Sequence, residues 1–366
     1  MGGCLTWNVS NVGAVADPLA QTYGVSLAAI GLLTTSLFVT HLLVQLPAGH
    51  GADRYGARAV ALAAVVATLV GNALLLLDHS FTLGLLGRAV VGLGSGAAFV
   101  AGLDLVRAGG GGPLQRGLYG GATMLGGGLA VMVLPALTDA TSWRAPYWSA
   151  IVLALAAAVP LLAASGLPRV GRTRARVATA PGLVPLGLLQ GATFGLAVVA
   201  GNWVVPLLER HGYGAVAAGL AGGLILSAGI LTRPVGGMLT HTRARSVVLV
   251  GLLGVCLGSA ILALPLPIGV LTLGALVLGL GAGLPFAVIF TGAQRLRLDA
   301  PGAAVGLVNA ISIVVVLVAT PLAGLAFDLP GDGRLAFAGI AACAAAALLL
   351  LRRAALGRDN RPPEHA

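Results

Sequence analysis

Two arginines, Arg88 and Arg233, and one histidine, His41, stand inside long apolar runs of this sequence, with carboxamides at Asn8, Asn11, Gln45, Gln190, Asn202 and Asn309. A guanidinium so placed costs about 2.5–3.5 kcal/mol on insertion scales, so it must face the protein interior or a wet cavity. For Arg88 two roles stand side by side: touching an anionic solute or tuning a proton site, and capping carbonyls of the first helix. For Arg233 the alternatives are anion contact and snorkelling to the nearer interface. His41 is the one deep side chain that titrates near neutral pH. Thr34, His41 and Gln45 are spaced seven and four residues apart, which is one helical face. His41 there either accepts a coupled proton or rests neutral against a backbone carbonyl. Trp7, Asn8 and Asn11, then Gln190 and Thr193, then Asn309 and Ser312 repeat this geometry in other runs. Together they predict a polar, amide-rich central cavity with excess positive potential. Asn202-Trp203 is read as a gate or, more simply, as an interfacial anchor.

Carboxylates inform by their absence from such positions. Asp17, Asp78, Asp139, Glu209, Asp328 and Asp332 fall between runs on one side, and Asp53, Asp299, Asp359 and Glu364 on the other. Asp104 alone lies near a helix, at its end. One connecting stretch, Gly49-His50-Gly51-Ala52-Asp53-Arg54-Tyr55-Gly56-Ala57-Arg58, gathers a carboxylate, two guanidiniums and glycines. The glycines permit a tight turn. Asp53 can meet a neighbouring helix N-terminus, and Arg54 and Arg58 can pair with acids across that face.

The elements that must position these groups are membrane helices. Of 366 residues 58% are hydrophobic and 9% charged, with a mean hydropathy of +0.99, which excludes a soluble domain. A helical span needs about 20 apolar residues. Turn residues and charges predict twelve helices, near 3–16, 27–48, 59–77, 81–104, 117–138, 147–166, 182–208, 215–239, 247–264, 269–293, 302–327 and 335–352. The first run, about 14 residues, lacks a basic leader and a cleavage-like site, and reads as a first helix that has lost its start. Every basic residue is arginine and nearly all lie in short connections, so topology explains the net charge of +10 and nucleic acid is not called for. Sixteen arginines lie on the side of Asp53 (Arg54, Arg58, Arg107, Arg116, Arg169, Arg172, Arg174, Arg176, Arg243, Arg245, Arg295, Arg297, Arg352, Arg353, Arg358, Arg361), against Arg144, Arg210 and Arg334 opposite. That excess places both termini in the cytoplasm. Cys4, Cys256 and Cys343 lack paired spacing, so neither disulfide nor metal site is indicated.

The halves repeat. Gly92, Gly94 and Gly96 fall on Gly279, Gly281 and Gly283 (279 − 92 = 187), Pro47 and Gly49 on Pro234 and Gly236 (187 again), and Pro18-Leu19 on Pro206-Leu207 (188). The sense of the chain is the same in both, giving a parallel repeat of six plus six helices: a bundle over 1–166, an arginine-rich linker over 167–181, a bundle over 182–356 and a tail over 357–366.

On these residues the chain resembles the major facilitator superfamily. The 49–58 stretch resembles its pattern between helices two and three, Gly-x-Leu-Ala-Asp-Arg-x-Gly-x-Arg, keeping Gly49, Ala52, Asp53, Arg54, Gly56 and Arg58. The resemblance implies a cytoplasmic latch there. The second copy, 236–245, has Thr240 in place of Asp53, so a latch should be stronger in the first half. Arg88 followed by Gly92, Gly94 and Gly96 resembles the superfamily's helix four, and Gly92 with Gly96 makes a small-xxx-small surface. The stretch around Arg233 is similar to helix eight of nitrate and nitrite porters, whose arginine there contacts the anion. Those porters carry a second arginine where this chain has Gln45, so half of that clamp is absent. The glycines of 120–128 lack the following Gly-Pro of drug antiporters.

No nucleotide-binding loop, nucleophile with base and orienter, or metal signature occurs, so an enzyme is the poorer class and no cofactor is called for. What the resemblance implies is a monomeric secondary transporter of the cytoplasmic membrane, working by alternating access on a small solute, with a proton or counter-substrate as coupling partner. An anion is one reading of the cargo, and export of hydrophobic compounds another. A non-transporting receptor or assembly protein is the rival outside the class.

Overall fold

The computed structural model describes residues 1–25, 27–77, 80–163, 182–352 and 354; the predicted linker at 167–181, with its four arginines, and the tail at 357–366 lie outside them. Among the described residues the regular structure is helical: α1 (Gly2–Ser10), α2 (Ala16–Tyr23), α3 (Leu27–Tyr55), α4 (Ala57–Leu77), α5 (Phe81–Ala108), α6 (Pro113–Ala140), α7 (Ala145–Ala163), α8 (Leu183–Gln190), α9 (Leu196–Arg210), α10 (Ala215–Ser227), α11 (Gly229–Leu262), α12 (Ile268–Gly283), α13 (Phe286–Leu296), α14 (Pro301–Leu325) and α15 (Arg334–Ala347). A short 3-10 turn, Gly13–Val15, joins α1 to α2, and a π-helical turn, Gly191–Gly195, joins α8 to α9.

Nine described stretches are long and apolar enough to cross a membrane, one of them, Ala221–Leu262, holding two passes merged across a kink at Arg243 (φ −140°, ψ 30°). The described helices make the predicted twelve passes: α1–α2, α3, α4, α5, α6, α7, α8–α9, α10 with the start of α11, the rest of α11, α12–α13, α14 and α15. Their ends differ from the sequence expectation. Helix continues through Asp17-Pro18 to Tyr23, through the charged stretch after Pro47 to Tyr55, and through Arg107 to Ala108. Charge marks where a span leaves the apolar layer, whereas the backbone stays helical until a residue breaks it. After Tyr55 that residue is Gly56 (φ +91°), in the left-handed region that favours glycine.

The chain divides into two compact units, Met1–Gly112 with Tyr119–Ala178 and Asp299–Ile313, and Pro113–Leu118 with Thr179–Leu298 and Val314–Ala366. The core of the first packs Trp7, Leu19, Leu33, Leu37, Leu75, Val91, Leu134 and Tyr147. Its helices meet through α5: a Cβ on Gly92 would strike Leu37 O and Thr40 Oγ1 of α3, one on Gly94 would lie 2.8 Å from Ala64 O of α4, and one on Gly96 would lie 2.6 Å from His41 O. The small-residue surface is therefore real and serves backbone approach on two sides.

In the second unit the same contacts recur at the same offset. Gly279 abuts Leu224 O and Ile225 O, where 37 + 187 = 224; Gly281 abuts Gly251 O, where 64 + 187 = 251; Gly283 abuts Gly229, beside 41 + 187 = 228. Exposed leucines such as Leu43, Leu77, Leu231 and Leu349 cover the outside, a surface that lipid rather than water solvates.

Candidate functional site

Asp53 sits two residues before the end of α3, and its buried carboxylate grips the start of α14. Oδ1 accepts the Gly302 N–H at 2.9 Å and Oδ2 the Ala303 N–H at 3.0 Å. The first N–H groups of a helix lack intrahelical partners and carry partial positive charge, so a carboxylate there meets both needs. Pro301 opens α14 at a position where its missing N–H costs nothing. The approach needs glycine: a Cβ on Gly49 would lie 2.5 Å from Gly302 O, and one on Gly306 would strike Gln45 O. The pairs 49 + 302 and 45 + 306 both sum to 351, so α3 and α14 run antiparallel in register.

Among the described residues, Arg58 of the stretch meets backbone carbonyls and Arg54 an aromatic ring. Arg58 donates from Nε to Leu161 O at 2.7 Å and from Nη2 to Leu162 O at 2.8 Å, capping the last carbonyls of α7. Arg54 lies 5.1 Å from the Tyr55 ring centroid. Asp104 pairs instead with Arg107, at 2.6 Å.

The second copy lacks the grip. Thr240 Oγ1 donates to Gly236 O of its own helix at 2.9 Å. The helix approach is kept, because a Cβ on Gly237 would lie 2.7 Å from Leu114 Cα and one on Gly117 would strike Arg233 O. Arg116 bridges to α13, from Nε to Gln294 Oε1 at 2.8 Å and from Nη1 to Thr291 Oγ1 at 3.3 Å.

Arg88 is fully buried. It donates from Nη1 to Asn11 Oδ1 at 3.0 Å and from Nε to Leu33 O at 3.4 Å, while Nη2 has no hydrogen-bond partner. Asn11 Nδ2 donates to Pro146 O at 2.9 Å, and Asn8 joins Asn72, whose Nδ2 donates to Asn8 Oδ1 at 2.8 Å. Trp7 Nε1 donates to Ser149 Oγ at 3.1 Å, and the Tyr23 and Tyr147 hydroxyls are 3.1 Å apart. The structure thus joins Arg88 to Asn11 and Asn8 to Asn72, and sets Ser149 on Trp7 and Tyr147 on Tyr23; Asn72, Tyr147 and Ser149 are partners that sequence reasoning missed. An amide in the middle of the α4 apolar run was the available signal for Asn72.

His41 is buried, its Nδ1 2.9 Å from Ser95 Oγ, which also reaches Gly92 O at 3.1 Å. Its partner is thus a hydroxyl and not a carbonyl. Thr34 is half-buried and Gln45 fully buried on the same helix.

In the second unit Arg233 does not snorkel. It is buried with its guanidinium carbon 4.2 Å from the Phe286 ring centroid and 5.1 Å from that of Phe194. Gln190 is buried just before the π-helical turn, and Thr193 Oγ1 donates back to Leu189 O at 2.8 Å. Asn202 is exposed. Trp203 packs inward, donating from Nε1 to Thr320 O at 3.0 Å with its ring 4.9 Å from that of Phe327. On α14, Asn309 and Ser312 are buried, within the segment that joins the first unit. Among the described residues no group of three or more metal-ligating side chains gathers, and the three cysteines are free.

A twelve-pass helical repeat with buried polar side chains and a helix clasp at one end defines a membrane transporter rather than an enzyme. The family model of the major facilitator superfamily matches residues 1–309, and the chain belongs to that superfamily. Solved structures share the fold. The E. coli fucose:proton symporter FucP aligns with a TM-score of 0.73 and 14% identity over 98% of each chain. The human organic anion transporter MFSD10 aligns at 0.77 and 16%, over 96% of this chain and 97% of that one. The proton:xylose symporter XylE, bound to 6-bromo-6-deoxy-D-glucose, aligns at 0.78 and 13%, over 96% and 93%. No curated protein sequence matches the chain.

Proposed function

We propose that the protein is a secondary active transporter of the cytoplasmic membrane, carrying a small polar solute by alternating access, with both termini cytoplasmic and the halves 1–166 and 182–356 as its moving bodies. The observation that carries this reading is the Asp53 clasp. Two hydrogen bonds and a glycine-lined approach form a contact between helix ends that a rocking motion would make and break. Asp53, with Gly49 and Gly56 shaping its helix end, is the latch; Arg54 and Arg58 hold the flanking surface.

The solute contacts are Arg88, Arg233, Asn8, Asn11, Gln45, Gln190 and Asn309, with Asn202 at the outer end and His41 as the proton-coupling group. An anionic solute is a second reading, favoured by the unpartnered Nη2 of Arg88. The solved relatives named for sugars and for organic anions share the fold at low identity and do not choose between the two. A thermal-shift screen finds the ligand, because binding to the folded state stabilises it. Reconstituted vesicles must then take that ligand up saturably. Binding without uptake would contradict the transporter reading.

A further inference from the structure

Gln45 in α3 and Gln190 in α8 share a property that packing alone does not reward. In each, the amide nitrogen and the amide oxygen are both buried and neither makes a hydrogen bond. The two lie in different units, so the property arises twice in separate surroundings. In the first unit Gln45 stands one turn before Gly49, its carbonyl oxygen against Gly306, and Ser312 further along α14 also has a buried, unpartnered hydroxyl. Leucine would fill the volume of Gln45 without leaving two desolvated polar atoms unsatisfied.

The chemistry of a carboxamide limits what can satisfy it. A carboxylate or nitrate accepts from Nε2 but has no proton to give Oε1, so an anion without hydroxyls leaves half of the amide unpaired. A hydroxyl donates and accepts, and two of them on neighbouring carbons meet both ends of the amide together. The Ser312 hydroxyl is likewise satisfied by a group of that kind in either direction. Of the buried guanidiniums, Arg88 spends Nε on Leu33 O and Nη1 on Asn11 Oδ1 and keeps only Nη2 over, and Arg233 lies against the faces of Phe194 and Phe286.

From these observations we infer that the solute is a neutral, multiply hydroxylated small molecule and that Gln45 binds a pair of its hydroxyl groups. The inference rests on the transporter reading and narrows its cargo. Gln45 is fully buried, so the solute reaches its amide only when the helices around it part.

The test compares purified wild type, Gln45→Leu and Gln45→Glu in detergent by thermal shift, with xylose, mannitol and myo-inositol in one set and acetate, nitrate and benzoate in the other. Wild type is expected to be stabilised by a member of the hydroxylated set. Gln45→Leu is expected to melt higher than wild type without ligand, because the unsatisfied amide is gone, and to bind that ligand about tenfold more weakly or worse. Stabilisation by the hydroxyl-free anions alone, or by nothing in the hydroxylated set, overturns the inference. So does a ligand-free Gln45→Leu that melts lower, since the amide is then structural. A hydroxylated ligand that binds through Gln45 but is not carried into vesicles upholds the inference and sinks the transporter reading, so the two failures are distinguishable.

Discussion

Replacing Asp53 with Asn preserves its shape and removes the feature on which the clasp depends. The carboxylate accepts two backbone N–H groups, at 2.9 Å and 3.0 Å, and is 6% exposed. Asparagine keeps one acceptor oxygen and turns an NH2 toward the other backbone N–H. Losing a helix-capping bond costs about 1 kcal/mol, within a range of about 0.5–2. Losing the negative charge at a partly buried helix N-terminus costs up to about 2 kcal/mol more. Together they come to about 1–3 kcal/mol, and at 1.4 kcal/mol per decade this shifts the closed-to-open ratio at that end by roughly five- to hundredfold.

Ala52 reports the change. It is 2% exposed, and its Cβ would lie 3.2 Å from a Cβ placed on Gly302. With Cys4, Cys256 and Cys343 replaced by alanine, the rate at which a membrane-impermeant maleimide alkylates Ala52→Cys follows the open population. Adding Asp53→Asn should accelerate alkylation by about five- to hundredfold. Equal rates with and without Asp53→Asn would refute the clasp as the contact that holds this end shut.

Three further outcomes follow from the buried polar groups. Arg88→Gln should leave the protein inserted and folded, since glutamine can still reach polar partners, but should abolish saturable uptake if the solute is anionic; unchanged uptake kinetics in vesicles would exclude Arg88 from that role. His41→Ala should alter the pH dependence of transport, and an unaltered pH profile would rule out His41 as the coupling group. Gln45→Leu should raise the ligand-free melting temperature while weakening solute binding, and a lower melting temperature would mark the amide as structural.

Much of the fold was legible because apolar length and glycine spacing are local properties. The offset of 187 residues, read from three glycines and a Pro-x-Gly, reappears as matched backbone contacts at Gly92 and Gly279 and at Gly94 and Gly281. Helix ends were not legible, since Asp53 and Arg54 are charged yet helical and only Gly56 breaks the backbone. For the site, residue type was readable and partnership was not. A helix N-terminus was an expected partner for Asp53, but α14, 249 residues on, could be identified only in three dimensions. For Arg233 the choice between snorkelling and facing inward was not legible, because its burial beside Phe194 and Phe286 depends on three separate helical segments meeting. Ser95 beside His41 and Asn72 beside Asn8 were hidden for the same reason.

Counterflow most directly tests whether this chain is an alternating carrier. Proteoliposomes loaded with unlabelled solute, found by the thermal-shift screen, are diluted into a trace of the labelled compound. A carrier that exposes one site alternately to each side must return loaded, so labelled solute is predicted to accumulate transiently above its external concentration and then decay. Asp53→Asn should alter the height or timing of that overshoot. Binding with no overshoot, or a linear flux that never saturates, would contradict the account and point to a receptor or a channel.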